Sequence, residues 1–204
     1  MSTEGYGLEL NILIIGVGGQ GTLLSSRFLG DVALRLGRDV KVSEVHGMSQ
    51  RGGSVETCVR IGENIASPII DRGMADVVLS FESVEALRAL DYLKPGGTVI
   101  MNTQEILPMP VISGTAVYPE NVPERLKGGN YNVISLDALG IAESCGSPKC
   151  VNVVLLGVLS GTIPGIPEEV WLESLKNVVP AKLLDVNLRA FEAGRKQGGN
   201  ETKV

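Results

Sequence analysis

Residues 10–15, Leu-Asn-Ile-Leu-Ile-Ile, run into Gly16-Val17-Gly18-Gly19-Gln20-Gly21, and a helical pattern follows at once. That order constrains the fold more than anything else in the chain. A short aliphatic run without alternation suits a strand buried on both faces. From 20 to 36, Leu24, Phe28, Val32 and Leu36 recur every four residues, the stripe of one amphipathic helix, and Gly37 follows as its stop. A strand, a glycine turn and a helix in succession form the opening unit of a parallel α/β sheet, with a Rossmann-like start.

The rest of the chain continues the alternation. Residues 39–45 and 54–61 read as the second and third strands, the latter with Val55, Thr57 and Val59 on one face. A fourth strand is predicted at 76–81, then a helix over 84–93 that ends before Pro95-Gly96-Gly97, then a strand at 98–101. Pro108, Pro110, Pro119 and Pro123 punctuate 104–123 and predict loops with one short strand at 115–118. A late strand at 131–136 and helices at 151–160, 168–178 and 181–195 complete the pattern. The fold class expected is a single three-layer α/β/α sandwich with a largely parallel or mixed sheet. Residues 1–197 form the one domain, and 198–204, with nothing to pack against, form a frayed tail.

Composition limits what such a domain can do. Only 4% of residues are aromatic, so the core is aliphatic. The 44% hydrophobic share, taken with 26 glycines, exceeds the usual ~45–50% for that combined set and implies more buried surface than a monomer needs. A net charge of −5 without a Lys/Arg cluster excludes a nucleic-acid groove as the main function. The acidic start and the lack of any apolar run near ~18 residues support neither a signal peptide nor a membrane span, so a cytoplasmic location is expected. Cys58, Cys145 and Cys150 are then reduced thiols, and the Cys145/Cys150 spacing falls short of a zinc or iron–sulfur site.

Two segments concentrate the chemistry. In the first, the amides of Gly16, Gly18, Gly19, Gln20 and Gly21 at a helix start favour an anion, which predicts a phosphate-bearing ligand. Glu44, at the end of the second strand, is the nearest fit to the acidic ribose partner of such sites. The alternative is that the glycines only allow the strand and helix to pack closely, with Gln20 facing solvent or a partner. In the second segment, His46, Ser49, Gln50, Arg51, Gly52 and Gly53 lie between two strands, at the same sheet edge as the glycine loop if the two strands run parallel. Arg51 offers a planar donor fork for a phosphate or carboxylate, and Ser49 with the Gly52 and Gly53 amides adds donors. His46 finds no carboxylate or nucleophile to pair with in the sequence, and no catalytic residue or metal site is assigned.

With Gly16-Val-Gly-Gly-Gln-Gly21 and Glu44-Val-His-Gly-Met-Ser-Gln-Arg-Gly-Gly53 in view, the chain resembles the gamma-type domain of the 2-oxoacid:ferredoxin oxidoreductases. The likeness extends through Ala75-Asp76-Val77-Val78 and Pro95-Gly96-Gly97 to the stretch 152–157. It implies a subunit of an enzyme that oxidatively decarboxylates a 2-oxoacid to an acyl-coenzyme A and passes electrons to ferredoxin; the Met48 to Gly53 run favours indolepyruvate and other aryl-pyruvates. It further implies that thiamine diphosphate, magnesium and 4Fe-4S clusters sit on a larger alpha subunit, with coenzyme A as co-substrate. Gly18, Gly19, Gln20, Ser49 and Arg51 would face the junction between the subunits. Two other classes stay open from the residues alone: a stand-alone nucleotide-binding regulatory module, and an NAD(P)-dependent reductase, which lacks an evident proton donor here.

Overall fold

The opening run forms β1 (Leu10–Val17) inside a six-stranded sheet, with Ile12, Leu13 and Ile14 wholly out of contact with water. The computed structural model describes residues 8–47 and 53–200. After β1 and α1 (Thr22–Arg35) come β2 (Asp39–His46), β3 (Ser54–Gly62), β4 (Ala75–Ser80), α2 (Ser83–Arg88), β5 (Leu93–Asn102), α3 (Met109–Ile112), α4 (Val122–Leu126) and β6 (Asn132–Leu136). Four helices close the chain: α5 (Ala138–Ser144), α6 (Val151–Thr162), α7 (Glu168–Val178) and α8 (Leu184–Asn200).

The sheet order is β2-β3-β1-β4-β5-β6. β1, β4, β5 and β6 are parallel, while β3 pairs antiparallel with both β1 and β2. The sheet is therefore mixed, and β2 again runs the same way as β1. Period two along β1 sorts its side chains: Ile12 and Ile14 enter one core with Phe28, Leu79, Leu155 and Phe191, while Leu13 and Ile15 enter the other with Val78, Val99, Met101 and Leu126. Helices cover both faces. Phe28 of the α1 stripe stacks on Trp171 at 5.8 Å and meets Phe191 edge-on at 5.9 Å, contacts worth about 0.5–1.5 kcal/mol each beyond burial.

α1 ends as its sequence predicts. Gly37 takes φ +67°, its amide donates to the Leu34 carbonyl and that of Arg38 to the Ala33 carbonyl, the paired bonds of a left-handed stop.

Elsewhere the structure departs from expectation. The helix foreseen over 84–93 stops at Arg88, a tight turn covers Leu90–Tyr92, and Leu93 opens β5 opposite Ala75. Lys94 precedes Pro95, which disfavours helical backbone there. No strand forms at 115–118, because the Thr115 and Ala116 amides fold back onto the Pro110 carbonyl; α3 and α4 flank this stretch instead. The helix expected to begin at 181 starts at Leu184 after a tight turn over Ala181–Leu183. It also continues to Asn200, into the stretch where fraying was foreseen, with Gly194 and Gly198 lying against α6: a Cβ on Gly198 would stand 2.3 Å from the Val158 carbonyl oxygen. The rest of that stretch, 201–204, lies outside the described residues.

Candidate functional site

The carboxyl ends of β1, β2 and β4 share one edge of the sheet. Gly18 donates its amide to the Gly53 carbonyl at 3.1 Å, so the glycine loop touches the turn that joins β2 to β3. The two segments singled out in the sequence thus meet. Gly47, whose amide bonds the Ser54 carbonyl at 3.1 Å, closes the other side of that turn. Ser49, Gln50, Arg51 and Gly52, with Met48, lie outside the described residues.

Within the glycine loop, each residue has a separable duty. A Cβ on Gly16 would stand 2.8 Å from Gln20 Oε1 and 3.1 Å from Phe81, and one on Gly21 would stand 2.6 Å from Asn152 Nδ2. Gly21 also holds φ +91°, which lets the chain enter α1 with a left-handed residue. Gly19, at φ +98°, has open space where a side chain would sit. Gln20 does not face outward as expected. Its Oε1 accepts from the Val17 amide at 2.7 Å and its Nε2 donates to the Phe81 carbonyl at 3.0 Å, so the side chain stitches the end of β1 to the end of β4. The Gly18 and Gln20 amides are both bonded to protein carbonyls, leaving fewer donors for an anion than the glycine pattern suggests.

Glu44 was expected to hold a ribose. In the structure its Oε2 accepts from Thr22 Oγ1 at 3.2 Å and Thr57 Oγ1 at 3.1 Å, while Oε1 lies 2.8 Å from His46 Nε2. One carboxylate therefore joins the first residue of α1, β3 and the end of β2. His46 has the partner that sequence reasoning did not find, although two residues apart on a strand is the spacing that puts both on one face.

A second constellation escaped the sequence reading altogether. Glu82, immediately beyond β4 and followed by α2, is fully buried. Its Oε2 accepts from the Glu85 amide at 3.0 Å, capping α2, and its Oε1 accepts from the Ile106 amide at 3.0 Å and from the Tyr118 hydroxyl. Glu85, also buried, accepts from Ser54 Oγ at 2.6 Å and Arg88 Nη1 at 2.7 Å. Asn102 donates to the Phe81 carbonyl at 3.2 Å and accepts from the Ala138 amide at 3.1 Å. A seam of polar groups thus follows the carboxyl edge from the β2–β3 turn to the 104–118 segment. The available signal was a carboxylate directly after an apolar strand, with a second three residues on, the spacing of a helix-capping pair.

Burial pushes the Tyr118 phenol well above its usual range, and the bond to Glu82 adds to the rise. Because ionisation is easier in the unfolded chain, stability falls as pH climbs past the ordinary phenol value of about 10. Of the four tyrosines, Tyr118 is expected to give its phenolate absorbance only as the fold is lost, and Tyr118→Phe to lessen the alkaline loss of stability. Titration of absorbance and ellipticity together checks this; a Tyr118 signal rising with the fold intact would contradict it.

Burial also raises the Cys58 and Cys150 thiols, which keeps them protonated and poorly reactive. Among the described residues no three His, Cys, Asp or Glu side chains are gathered to hold a metal ion, and no helix is long and apolar enough to cross a membrane.

The architecture defines the class of the protein: an α/β domain of the gamma-subunit type. The gamma subunit of a keto/oxoacid ferredoxin oxidoreductase from Geobacter sulfurreducens superposes with a TM-score of 0.70 at 21% identity, over 93% of this chain and 98% of that one. A 2-oxoglutarate:ferredoxin oxidoreductase from Magnetococcus marinus, solved with 2-oxoglutarate, coenzyme A and succinyl-CoA bound, matches 96% of this chain with 32% of its own, with a TM-score of 0.72 and 22% identity. These likenesses concern the fold. The family model for pyruvate ferredoxin/flavodoxin oxidoreductase matches residues 11–197, and the chain belongs to that family. Indolepyruvate oxidoreductase subunit IorB of Thermococcus kodakarensis is 48% identical over 195 residues, which cover 92% of this chain and 95% of that subunit.

Proposed function

We propose that this chain is the small subunit of an indolepyruvate:ferredoxin oxidoreductase. The complex oxidatively decarboxylates an aryl-pyruvate, joins the acyl group to coenzyme A, releases carbon dioxide and passes two electrons to ferredoxin. The observation that carries the reading is the 48% identity to an indolepyruvate oxidoreductase subunit along nearly the full length of both chains. The meeting of the glycine loop with the β2–β3 turn supports it, because open α/β sheets take ligands at the carboxyl ends of their strands.

The chain's own residues do not fit an iron–sulfur cluster. A 4Fe-4S centre takes four thiolates, and the chain has three cysteines, of which Cys58 lies in the sheet and Cys145 and Cys150 lie beside α5 and α6. The clusters, thiamine diphosphate and magnesium are assigned to the larger partner subunit. This domain's part is to complete the coenzyme A or oxoacid channel at the junction, with Gly18, Gly19, Ser49 and Arg51 on that side. Gln20 supports the loop from within.

Recovering the tagged chain from its native extract tests the proposal. A large iron–sulfur, thiamine-binding subunit is expected with it, together with dye reduction that needs both indolepyruvate and coenzyme A. Arg51→Ala is expected to raise the requirement for coenzyme A or the oxoacid, or to weaken assembly. A chain recovered alone that binds a nucleotide and supports no such activity would overturn the assignment.

A further inference from the structure

We propose that the exposed apolar face of the 104–118 segment, made by Leu107, Met109, Ile112 and Val117, docks the larger subunit, which meets it with an apolar surface edged by Lys or Arg side chains. This deepens the functional reading above and rests on it. The four side chains are 50%, 65%, 63% and 89% exposed. Single exposed leucines or valines are ordinary on a protein surface, whereas four along one short segment mark a place where another molecule binds.

The four form one face. Met109 and Ile112 are three apart on α3, which sets them side by side. The Thr115 and Ala116 amides then return to the Pro110 carbonyl at 2.9 and 3.0 Å, bringing Val117 back beside that helix. Polar groups, not these side chains, hold the segment to the body. Ser83 donates its amide to the Gln104 carbonyl and Ile106 donates its amide to Glu82, while the Tyr118 hydroxyl accepts from the Val84 amide at 3.2 Å and donates to Glu82. The segment is thus anchored from within and keeps its apolar side chains outside.

Charge selects the occupant. From 95 to 124 the chain has no Lys, Arg or His, whereas Glu105, Glu120 and Glu124 are exposed, and among the described residues their carboxylates have no hydrogen-bond or ion-pair partner. The Glu105 charge acts on Tyr118, which places it at the border of the face. A second copy related by a two-fold axis would set these acids against their own kind. A surface of apolar groups edged by cations covers the four side chains and pairs the acids as well, and the larger subunit is the protein that the functional reading puts beside this chain.

The test follows the co-produced complex of the two chains by mass photometry as it is diluted. Ile112→Glu and Met109→Glu are each expected to raise the dissociation constant about tenfold or more, because the new charge is buried without a partner. Leu34→Glu, on a comparably exposed leucine of α1, is the control and leaves the constant unchanged. Glu120→Lys raises it by a smaller factor, about twofold to fivefold, and the difference shrinks as salt is added. All four positions are exposed, so each variant chain keeps the native urea midpoint, which separates a lost contact from a lost fold. A second measurement needs no variant: amides within 107–117 are expected to exchange at least about tenfold more slowly in the complex than in the free chain. Glutamate variants that assemble like the native chain, or exchange at 107–117 that the larger subunit leaves unchanged, would overturn the proposal. A free chain that forms a dimer lost in Ile112→Glu would give the face to a second copy and overturn it too. A native chain that binds no larger subunit would overturn the functional reading and this proposal with it, whereas a native complex indifferent to both glutamate variants would overturn the proposal alone.

Discussion

Replacing Gly194 by alanine is expected to destabilise the chain by at least about 3 kcal/mol, at or beyond the upper end of ordinary overpacking. The reason is that the added carbon would meet main chain. A Cβ at Gly194 would stand 2.0 Å from the Val154 carbonyl oxygen and 2.8 Å from its carbon, and one at Gly157 would stand 2.1 Å from the Phe191 carbonyl oxygen. Each of α6 and α8 therefore has a glycine against the other's backbone, and no rotamer change can relieve either clash. Gly30, inside α1 with nothing within 4 Å of its Cβ position, is the control. There the same change is expected to stabilise by up to about 1 kcal/mol, because alanine is the better helix former. Urea unfolding of the two variants beside the native chain measures the difference, and a Gly194→Ala chain as stable as the native one would mean that the two helices do not pack this closely.

The fold was legible wherever a local pattern carried it. The aliphatic run of β1, the four-residue stripe of α1 and the Gly37 stop each state their own structure, and the structure repeats them. Strand order is a different kind of information. Nothing local says that β3 inserts between β2 and β1, although the seven residues 47–53 are too few for a parallel crossover and so require a hairpin. The close approach of α6 and α8 was written as glycines four apart, Gly157 with Gly161 and Gly194 with Gly198, but the last of these read as an unpacked tail until its partner helix was in place.

The site divides along the same line. The meeting of the two loops follows from β1 and β2 running the same way, and that much could be anticipated from a parallel reading of the pair. The inward turn of Gln20 could not, because its partner is a carbonyl 61 residues away. Glu82 was harder still: an acid after a strand normally reads as an exposed helix cap, and its burial depends on 104–118 folding over it.

That dependence makes Glu82→Ala the other substitution with a large expected effect. Glu82 is fully buried and serves three donors, the Glu85 and Ile106 amides and the Tyr118 hydroxyl. Alanine would leave these donors without their acceptor, at about 1–3 kcal/mol for each one that stays buried. The expected loss is on the order of 3–5 kcal/mol, lowered to the extent that water reaches Ile106 and Tyr118. Hydrogen exchange locates the damage. The Ile106 and Glu85 amides should lose protection together, while the α6–α8 pair, on the other core, keeps its own. Glu82→Gln retains one acceptor oxygen and should fall between alanine and the native residue. Protection lost at Glu85 alone would show that 104–118 is held by its other bonds, the Ser83 amide to the Gln104 carbonyl and the Val84 amide to the Tyr118 hydroxyl. Loss at both would show that one buried carboxylate couples the start of α2 to the segment that borders the candidate site.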